Sequence, residues 1–548
     1  MAKILITGGV AGGMSTAARL RRNSELDEII VFERGEHVSF ANCGLPYYIG
    51  GEIKERADLF VQTPEAFHLR FNVDIRVKNE VMAIDRKNKL LKIKDLATGE
   101  TYKESYDKLV LSPGAKPIVP DIPGINHPAV FRLRNIPDMD GIKEFINEKK
   151  PKSALIIGAG FIGMEMAENL KRLDIDVTVI EALPQVLGIF DPDMALMIQH
   201  ELKENRVGLH LNDGVTEISD KSGKVAIRLF SGKEITADMA LLSIGVTPES
   251  VLAEEAGLEL GVKKSIAVNE FMQTSDPDIY AVGDAVQVIH RVTGQKMVIP
   301  MAGPANKQGR IAADNIAFGN KNIYKGTFGS GIARVFGLTA ACTGANEAML
   351  TAAGMPYRSV VVHPADHAGY YPGAQRMTLK VLFSAADGKV LGSQAIGRSG
   401  ADKRIDVISA FMALGGTIYD LMEFEQAYAP PYTSAKDPVN MAGFTAENIL
   451  TGKVNAMTWQ ELIKAGVKEF FLLDVRSLGE VKKGKVEGSV NIPVDTLRLN
   501  LGAVPKDKKI AVYCASGVRS GIAARILSQN GYKEVYNVSG GFLSYPKG

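Results

Sequence analysis

The sequence predicts a multidomain α/β protein, and three observations carry that prediction. The chain opens with a strand, a glycine turn and a helix, "KILITGGVAGGMSTAARLRR", followed by the strand "EIIVFERG". The same grammar returns about 150 residues later as "SALIIGAGFIGMEMAENLKRL" followed by "DVTVIEA". Beyond about residue 325 the pattern changes, first to mixed segments such as "MTLKVLFSAADGKVLGSQAIG" and then to a compact α/β unit. That last unit carries the strands "FFLLDVR", "KIAVYC" and "EVYNVSGG" and the helix "GIAARILSQNG".

Each part follows from its own residues. Residues 1–150 read as a first doubly wound nucleotide-binding domain, which "DIYAVGDA" near residue 280 rejoins, so that 271–325 complete it. Residues 151–270 read as a second such domain and 326–440 as an α+β interface domain. Residues 441–456 are assigned to a linker, and 457–548 to the C-terminal α/β domain. A length of 548 residues supports three or four domains at roughly 150 residues each.

Composition excludes several classes. A formal charge of +2 gives no reason to expect nucleic acid. No apolar run reaches the roughly 18 residues of a membrane span. "MAKILITGG" enters a strand at once, which leaves no room for a secretory signal. The three cysteines, Cys43, Cys342 and Cys514, lie far apart, which is no disulfide framework and fits a reducing cytoplasm. No metal site is expected.

In the second unit Gly158, Gly160 and Gly163 hold full G-x-G-x-x-G spacing. The first permits the tight turn, the second lets the backbone approach a pyrophosphate, and the third lets helix and strand pack closely. Glu181 closes the next strand, where a carboxylate can hold ribose hydroxyls and repels a 2′-phosphate, so NADH is favoured over NADPH.

The first unit departs from the pattern. Gly8 and Gly13 stand at the ends, Val10 takes the middle position, Gly9 and Gly12 lie alongside, and Glu33 ends the second strand. "LVLSPGAKP", with Gly114, and "TSDPDIYAVGDA", with Asp284, resemble two later flavin fingerprints. Over residues 1 to about 440 the chain therefore resembles the pyridine nucleotide–disulfide oxidoreductase family. The resemblance implies two Rossmann-like domains, FAD in the first and NADH in the second, and a dimerisation domain forming a homodimer. It places FAD at Gly8, Val10, Ala11, Gly12, Gly13, Glu33, Arg34, Val81, Ser112, Gly114, Asp284, Pro304 and Ala312. It places NADH at Gly158, Gly160, Phe161, Ile162, Gly163, Glu181 and Gly245.

"SFANCGLPYYIGG" supplies Cys43 with no second cysteine beside it, which resembles the single-cysteine branch of that family. A thiolate near a helix N-terminus is held at a lowered pKa and stays nucleophilic. Peroxidase and oxidase members carry a histidine in the first glycine loop; here the position is Ala11, which cannot transfer a proton. The branch that reduces coenzyme A disulfide or persulfide matches better. The resemblance assigns Ser15, Arg19, Arg22, Ser39, Asn42, Asn306 and Lys436 to coenzyme A, with Arg19 and Arg22 one helical turn apart for its phosphates. It assigns Tyr370, or its neighbour Tyr371, and Tyr428 to the reacting thiol, the last reaching across the homodimer. Cys342, among small apolar residues, reads as structural.

"KIAVYCASGVRS" puts Cys514 between a strand and a helix, where successive amides and the charge of Arg519 would stabilise a thiolate or persulfide. With "LLDVRS" and "GSVNIPVDTLR" upstream, the C-terminal unit resembles a rhodanese domain. It departs at Val486, where a histidine is usual, while Asp474 and Arg476 read as fold anchors. The whole implies an FAD- and NADH-dependent reductase of coenzyme A disulfide and persulfide, fed with sulfane sulfur by Cys514. Its partners are small thiol or persulfide molecules. Two alternatives stand beside it: an NADH oxidase or peroxidase using a Cys43 sulfenic acid, and a sulfur carrier with a redox-sensing flavoprotein half.

Overall fold

The structure, a computed structural model, describes residues 1–546 and divides into two compact units. The first is Met1–Gly188 with Leu202–Gly329; the second is Ile189–Glu201 with the chain from Ser330 onward.

In the first unit β1 (Lys3–Thr7), α1 (Ala11–Asn23), β2 (Glu28–Glu33), α2 (Leu45–Ile49), β3 (Asp74–Val77) and β4 (Lys108–Leu111) build most of one layer. A second layer follows from β5 (Val130–Phe131), β6 (Ser153–Ile157), α3 (Phe161–Lys171), β7 (Asp176–Ile180), β8 (Gly208–His210) and β9 (Met239–Leu242). The chain then returns to the first through β10 (Ile279–Ala281) and α4 (Ala302–Phe318). The sheets run β10-β4-β1-β2-β3 and β8-β7-β6-β9-β5, with every pairing parallel. Their central strands are buried apolar runs, Ile4–Leu5–Ile6 and Leu155–Ile156–Ile157, as parallel strands covered by helices require. Strand order reverses at β1 and at β6, so a crevice opens beyond the carboxyl end of each. One boundary moves: β5 pairs with β9, so the second sheet already takes residues well before 150.

The second unit begins with an antiparallel sheet of β11 (Gly331–Val335), β12 (Leu338–Gly344), β13 (Tyr357–Val362), β14 (Met377–Ser384) and β15 (Val390–Gly397), ordered β11-β12-β15-β14-β13. Buried Lys380 on β14 explains why residues 189–201 belong here. Its Nζ lies 3.1 Å from Asp191, 2.9 Å from Asp193 and 2.9 Å from Glu347. A buried ammonium with three carboxylates pins the segment to the sheet, because removing any partner strands charge in the interior.

Helices α5 (Ala401–Ala413) and α6 (Pro438–Leu450) follow, then β16 (Asn455–Met457), β17 (Phe470–Asp474), β18 (Val490–Asn491), β19 (Lys509–Tyr513), α7 (Val518–Gln529) and β20 (Val535–Val538). The last sheet is parallel, ordered β16-β20-β19-β17-β18. The segment assigned to a linker, 441–456, is mostly α6. A capping box at Asp437, with Pro438 in the first turn, starts that helix, and Val439, Ala442 and Ala446 bury its apolar face.

Candidate active site

The two glycine turns match position for position, with Gly8, Val10 and Gly13 answering to Gly158, Gly160 and Gly163. Gly8 and Gly158 take φ of +96° and +101°, and a Cβ at Gly8 would stand 2.1 Å from the Ser112 carbonyl oxygen. A Cβ at Gly13 would meet the Gly8 carbonyl oxygen at 1.9 Å, and one at Gly163 the Gly158 oxygen at 2.1 Å. Val10 is tolerated because the middle position is the residue just ahead of α1. Each turn is also tied to the carboxylate closing the next strand. Gly9 N–H and Gly35 N–H donate to Glu33 (2.7 and 2.8 Å), and Ala159 N–H and Leu183 N–H donate to Glu181 (2.8 and 2.9 Å). Both glutamates thus brace their turns, with lone pairs left for a ligand.

Beyond the end of β1 lies a cleft of ≈ 730 Å³. Gly8, Val10, Ala11, Gly12, Glu33, Arg34, Val81, Ser112, Gly114 and Asp284 all line it. Gly13, Pro304 and Ala312 do not: Gly13 packs behind the turn, Ala305 lines the cleft next to Pro304, and Ala312 is fully buried in the core. Arg34 is held by Glu249 through two bonds of 2.8 and 2.9 Å. Burial pushes the Asp284 carboxyl up, and Arg134, 3.9 Å away, opposes that. Two buried oxygens of lining residues, Thr7 Oγ1 and Asn42 Oδ1, have no partner within the protein. A polar, elongated, dinucleotide-sized ligand with its own donors fits that arrangement, as FAD would.

Cys43 stands on a short 3₁₀ turn, Asn42–Gly44, leading into the five-residue α2, with its side chain exposed. Its neighbours Phe40 and Asn42 line the cleft. The thiol's pKa is raised rather than lowered: although the residue reaches solvent, partial desolvation by the surrounding cleft is the main cause, and the carboxylates of Glu165 and Asp284 add to it. A helix of five residues offers too small a dipole to outweigh two nearby negative charges. Ser39 sits in the left-handed region at φ +48°, its N–H donating to the Gly9 carbonyl (2.9 Å), which anchors the cysteine loop to the glycine turn.

A second pocket of ≈ 430 Å³ gathers Ser15, Arg19, Arg22 and Asn306. Ser15 Oγ and Asn306 Oδ1 are 2.5 Å apart. Arg19 is less free than expected, because Asp314 on α4 accepts from its Nε (2.6 Å) and its second nitrogen (3.1 Å). Arg22 stacks over the Phe71 ring, 5.2 Å from its centroid. Gln62, Arg70 and Arg310 also line the pocket and escaped the sequence reading. Arg310 lies one turn beyond Asn306 on α4, a spacing that could have flagged it. Ser39 and Asn42 do not line this pocket and belong with Cys43.

In the second unit the hydroxyls of Tyr370 and Tyr428 meet at 2.9 Å, while Tyr371 packs edge-on against His367. This selects Tyr370 over its neighbour as the partner of Tyr428. Lys436 is exposed just ahead of α6. Cys342 is buried in β12, where burial pushes its thiol up to about 12.

Cys514 follows β19, and its Sγ accepts from Gly517 N–H (3.2 Å) and Ser520 Oγ (3.5 Å), while Gly517 takes φ +97° to turn its amide inward. Arg519 does not bring an uncompensated charge. Glu480 accepts from both of its terminal nitrogens (2.7 and 2.6 Å), and Arg519 holds that carboxyl down at about 2. Asp474 and Arg476 form a buried pair (2.6 Å), with Arg476 stacked over Phe542. At the position of the missing histidine, buried Val486 donates its N–H to Tyr513 Oη (3.3 Å).

The pyridine nucleotide-disulphide oxidoreductase profile matches residues 2–309. The chain belongs to that family. The dimerisation domain of the same oxidoreductases matches residues 332–438, and a rhodanese-like domain matches 456–547. A coenzyme A disulfide reductase of Staphylococcus haemolyticus is 37% identical over 450 residues, 82% of this chain and all of that protein. The crystal structure of reduced CoADR-RHD from Bacillus anthracis is 51% identical, covers 99% of this chain and 97% of its own, and has a TM-score of 0.97. An NAD-dependent persulfide reductase from A. fulgidus is 38% identical, with coverages of 99% and 100% and a TM-score of 0.93.

As a pyridine nucleotide-disulphide oxidoreductase, the chain pairs its first glycine turn with a dinucleotide-sized cleft and repeats the turn at the end of β6. Among the described residues no helix is long and apolar enough to cross a membrane, and no cluster of His, Cys, Asp and Glu could hold a metal ion. Glu181→Ala is expected to lower efficiency with NADH about tenfold (~1.4 kcal/mol) and to erode the preference over NADPH. The ratio of kcat/KM for the two nucleotides checks this, and an unchanged ratio would reduce Glu181 to a brace for its turn.

Proposed function

We propose that this oxidoreductase carries two electrons from NADH, through FAD, to sulfur bonded to coenzyme A, as disulfide or persulfide, and that its rhodanese-like module supplies sulfane sulfur from Cys514. The carrying observation is helix α1. Its N-terminal residues line the flavin-sized cleft, and Ser15, Arg19 and Arg22 farther along line the arginine-rich pocket. From Ala11 to Arg22 the helix rises about 17 Å, at 1.5 Å per residue. A ligand with an anionic nucleotide at one end, a thiol at the other and an extended arm between them matches that layout.

FAD, when bound, supplies the relay between the nicotinamide and sulfur. The Gly158–Gly163 turn and Glu181 hold the dinucleotide, and the Gly8–Gly13 turn, Glu33 and Asp284 hold the flavin. Cys43 as thiolate attacks the sulfur attached to coenzyme A, and an S–S bond to Cys43 forms as the substrate's own S–S bond breaks. Coenzyme A thiolate leaves from the disulfide, and hydrosulfide leaves from the persulfide. Two electrons then return the Cys43–coenzyme A disulfide to two thiolates. Tyr370 and Tyr428 are assigned to protonate the leaving thiolate, within a homodimer. Ser39 and Asn42 are assigned to the thiol end of coenzyme A, and Lys436 to a phosphate. Ala11 offers a methyl where oxygen or peroxide chemistry would need a proton donor.

Mass spectrometry of the isolated protein tests the reading: coenzyme A on Cys43, released by reductant, is expected. Anaerobic NADH oxidation that runs faster with peroxide than with coenzyme A disulfide or persulfide would overturn it. Arg22→Ala is expected to raise KM for coenzyme A disulfide about tenfold with kcat nearly unchanged, because the phosphates are bound alike in ground and transition states.

A further inference from the structure

The loop that holds Cys514 is backed by residues 539–544, and this backing segment faces two ways. Toward Cys514, Phe542 N–H donates to the Cys514 carbonyl (2.7 Å) and Leu543 N–H to the Ala515 carbonyl (2.9 Å). Gly541 is in the left-handed region, where a Cβ would stand 2.5 Å from the Cys514 carbonyl oxygen, so the two segments touch along their backbones. Toward the antiparallel sheet, Val361 N–H on β13 donates to Ser539 Oγ (3.0 Å). His363, just past β13, spans the gap: its Nδ1 is 2.9 Å from Thr378 Oγ1 and its Nε2 is 3.1 Å from Ser544 Oγ. Gly540 completes the contact, since a Cβ there would come within 3.2 Å of His363 Nε2.

We propose that His363 is a positioning residue for the Cys514 sulfur site. Held between Thr378 and Ser544, it fixes the Gly540–Gly541 turn, and that turn fixes the carbonyls of Cys514 and Ala515. The loop then keeps the Gly517 amide aimed at the sulfur. The sulfur site of the rhodanese-like module is therefore built partly by the dimerisation domain of its own chain. Burial, with a smaller push from Arg376, lowers the His363 pKa to about 4 against the opposing Gly540 backbone and Asp193. The imidazole thus stays neutral at ordinary pH, able to donate at one nitrogen and accept at the other. His363, Thr378, Ser544 and the Cys514 loop all belong to the second unit, whereas the cleft is lined by residues of the first, so the role is separate from the chemistry at Cys43.

The inference rests on reading Cys514 as the sulfur-carrying thiol. In that reading the Cys514 thiolate attacks a terminal sulfur of inorganic polysulfide, forming a Cys514 persulfide as the polysulfide one sulfur shorter leaves. The experiment compares the full-length holoprotein with its His363→Ala and His363→Gln variants. Alkylation by iodoacetamide is followed against pH on the Cys514 peptide by mass spectrometry, alongside persulfide formation on the same peptide. In His363→Ala the midpoint of the alkylation profile is expected to rise by about one pH unit, because the thiolate loses a well-aimed amide donor. Persulfide formation is expected to fall about tenfold, NADH-dependent reduction at Cys43 to hold within twofold, and His363→Gln to recover most of the loss. A folded His363→Ala protein with an unshifted midpoint overturns the positioning role, even if its melting temperature falls. Wild-type Cys514 that alkylates normally but never gains a persulfide overturns the sulfur-carrier reading instead, and the midpoint comparison still decides His363.

Discussion

Cys43→Ser is expected to cost on the order of 10⁴-fold in NADH-dependent reduction of coenzyme A disulfide, with the protein folded and its flavin still bleached by NADH. The serine hydroxyl is not ionised at neutral pH and cannot share a bond with the substrate's sulfur. No other cysteine can substitute, because neither Cys342 nor Cys514 lines the cleft beside which Cys43 stands. Anaerobic turnover and the flavin spectrum check the two halves of the expectation separately, and more than about one percent residual turnover would move the chemistry elsewhere. The charges around Cys43 add a pH dependence with a definite sign. Burial raises its pKa and the carboxylates of Glu165 and Asp284 raise it further, so the thiolate fraction grows as pH increases. Glu165→Gln removes one like charge and should shift the rising limb of activity toward lower pH; a shift the other way would refute the electrostatic account.

Asp474→Ala should be the most damaging single change in the rhodanese-like module. It leaves Arg476, 3% exposed, without its carboxylate and costs about 3–5 kcal/mol. Three contacts go at once, because Asp474 accepts from the Arg476 backbone N–H (3.0 Å), its Nε (3.0 Å) and a terminal nitrogen (2.6 Å). What remains is a cation over the Phe542 ring, donating to the Gly484 carbonyl (2.9 Å). Replacing both residues by apolar ones of similar size should recover most of the loss, since the desolvation cost disappears with the charges. Thermal melting of the full chain distinguishes these outcomes. Equal destabilisation by the single and double replacements would argue that packing, not charge, holds this corner.

Local pattern explains what was legible in the sequence. The glycine turns, the carboxylates that end the next strands, and Cys43 all sit within short stretches whose spacing is the structure. Arg22 and Asn306 are within reach by resemblance and Arg310 by its spacing from Asn306 on α4, while Arg70 joins them only through the packing of a separate helix, which no single stretch encodes. The same limit hid two neutralising partners. Arg19 looked free until Asp314 met it from α4, almost 300 residues away, and Arg519 looked like bare charge until Glu480 faced it. The stretch 441–456 carries no signal of its own helix start, because the Asp437 cap and Pro438 that begin α6 lie just ahead of it.

The placement of β10 beside β4 bears on how the chain is made. The first sheet cannot close when its first four strands have emerged, because the strand completing its edge lies roughly 170 residues downstream of β4. The whole second layer is synthesised in between and pairs only within itself. During synthesis at the ribosome the later layer can therefore mature while the earlier one still shows an unpaired edge. Asp284 arrives with that final strand, so the flavin cleft is the last part of the first unit to take shape. A chain cut short before residue 279 should keep a folded nicotinamide layer, retain no flavin, and aggregate through β4.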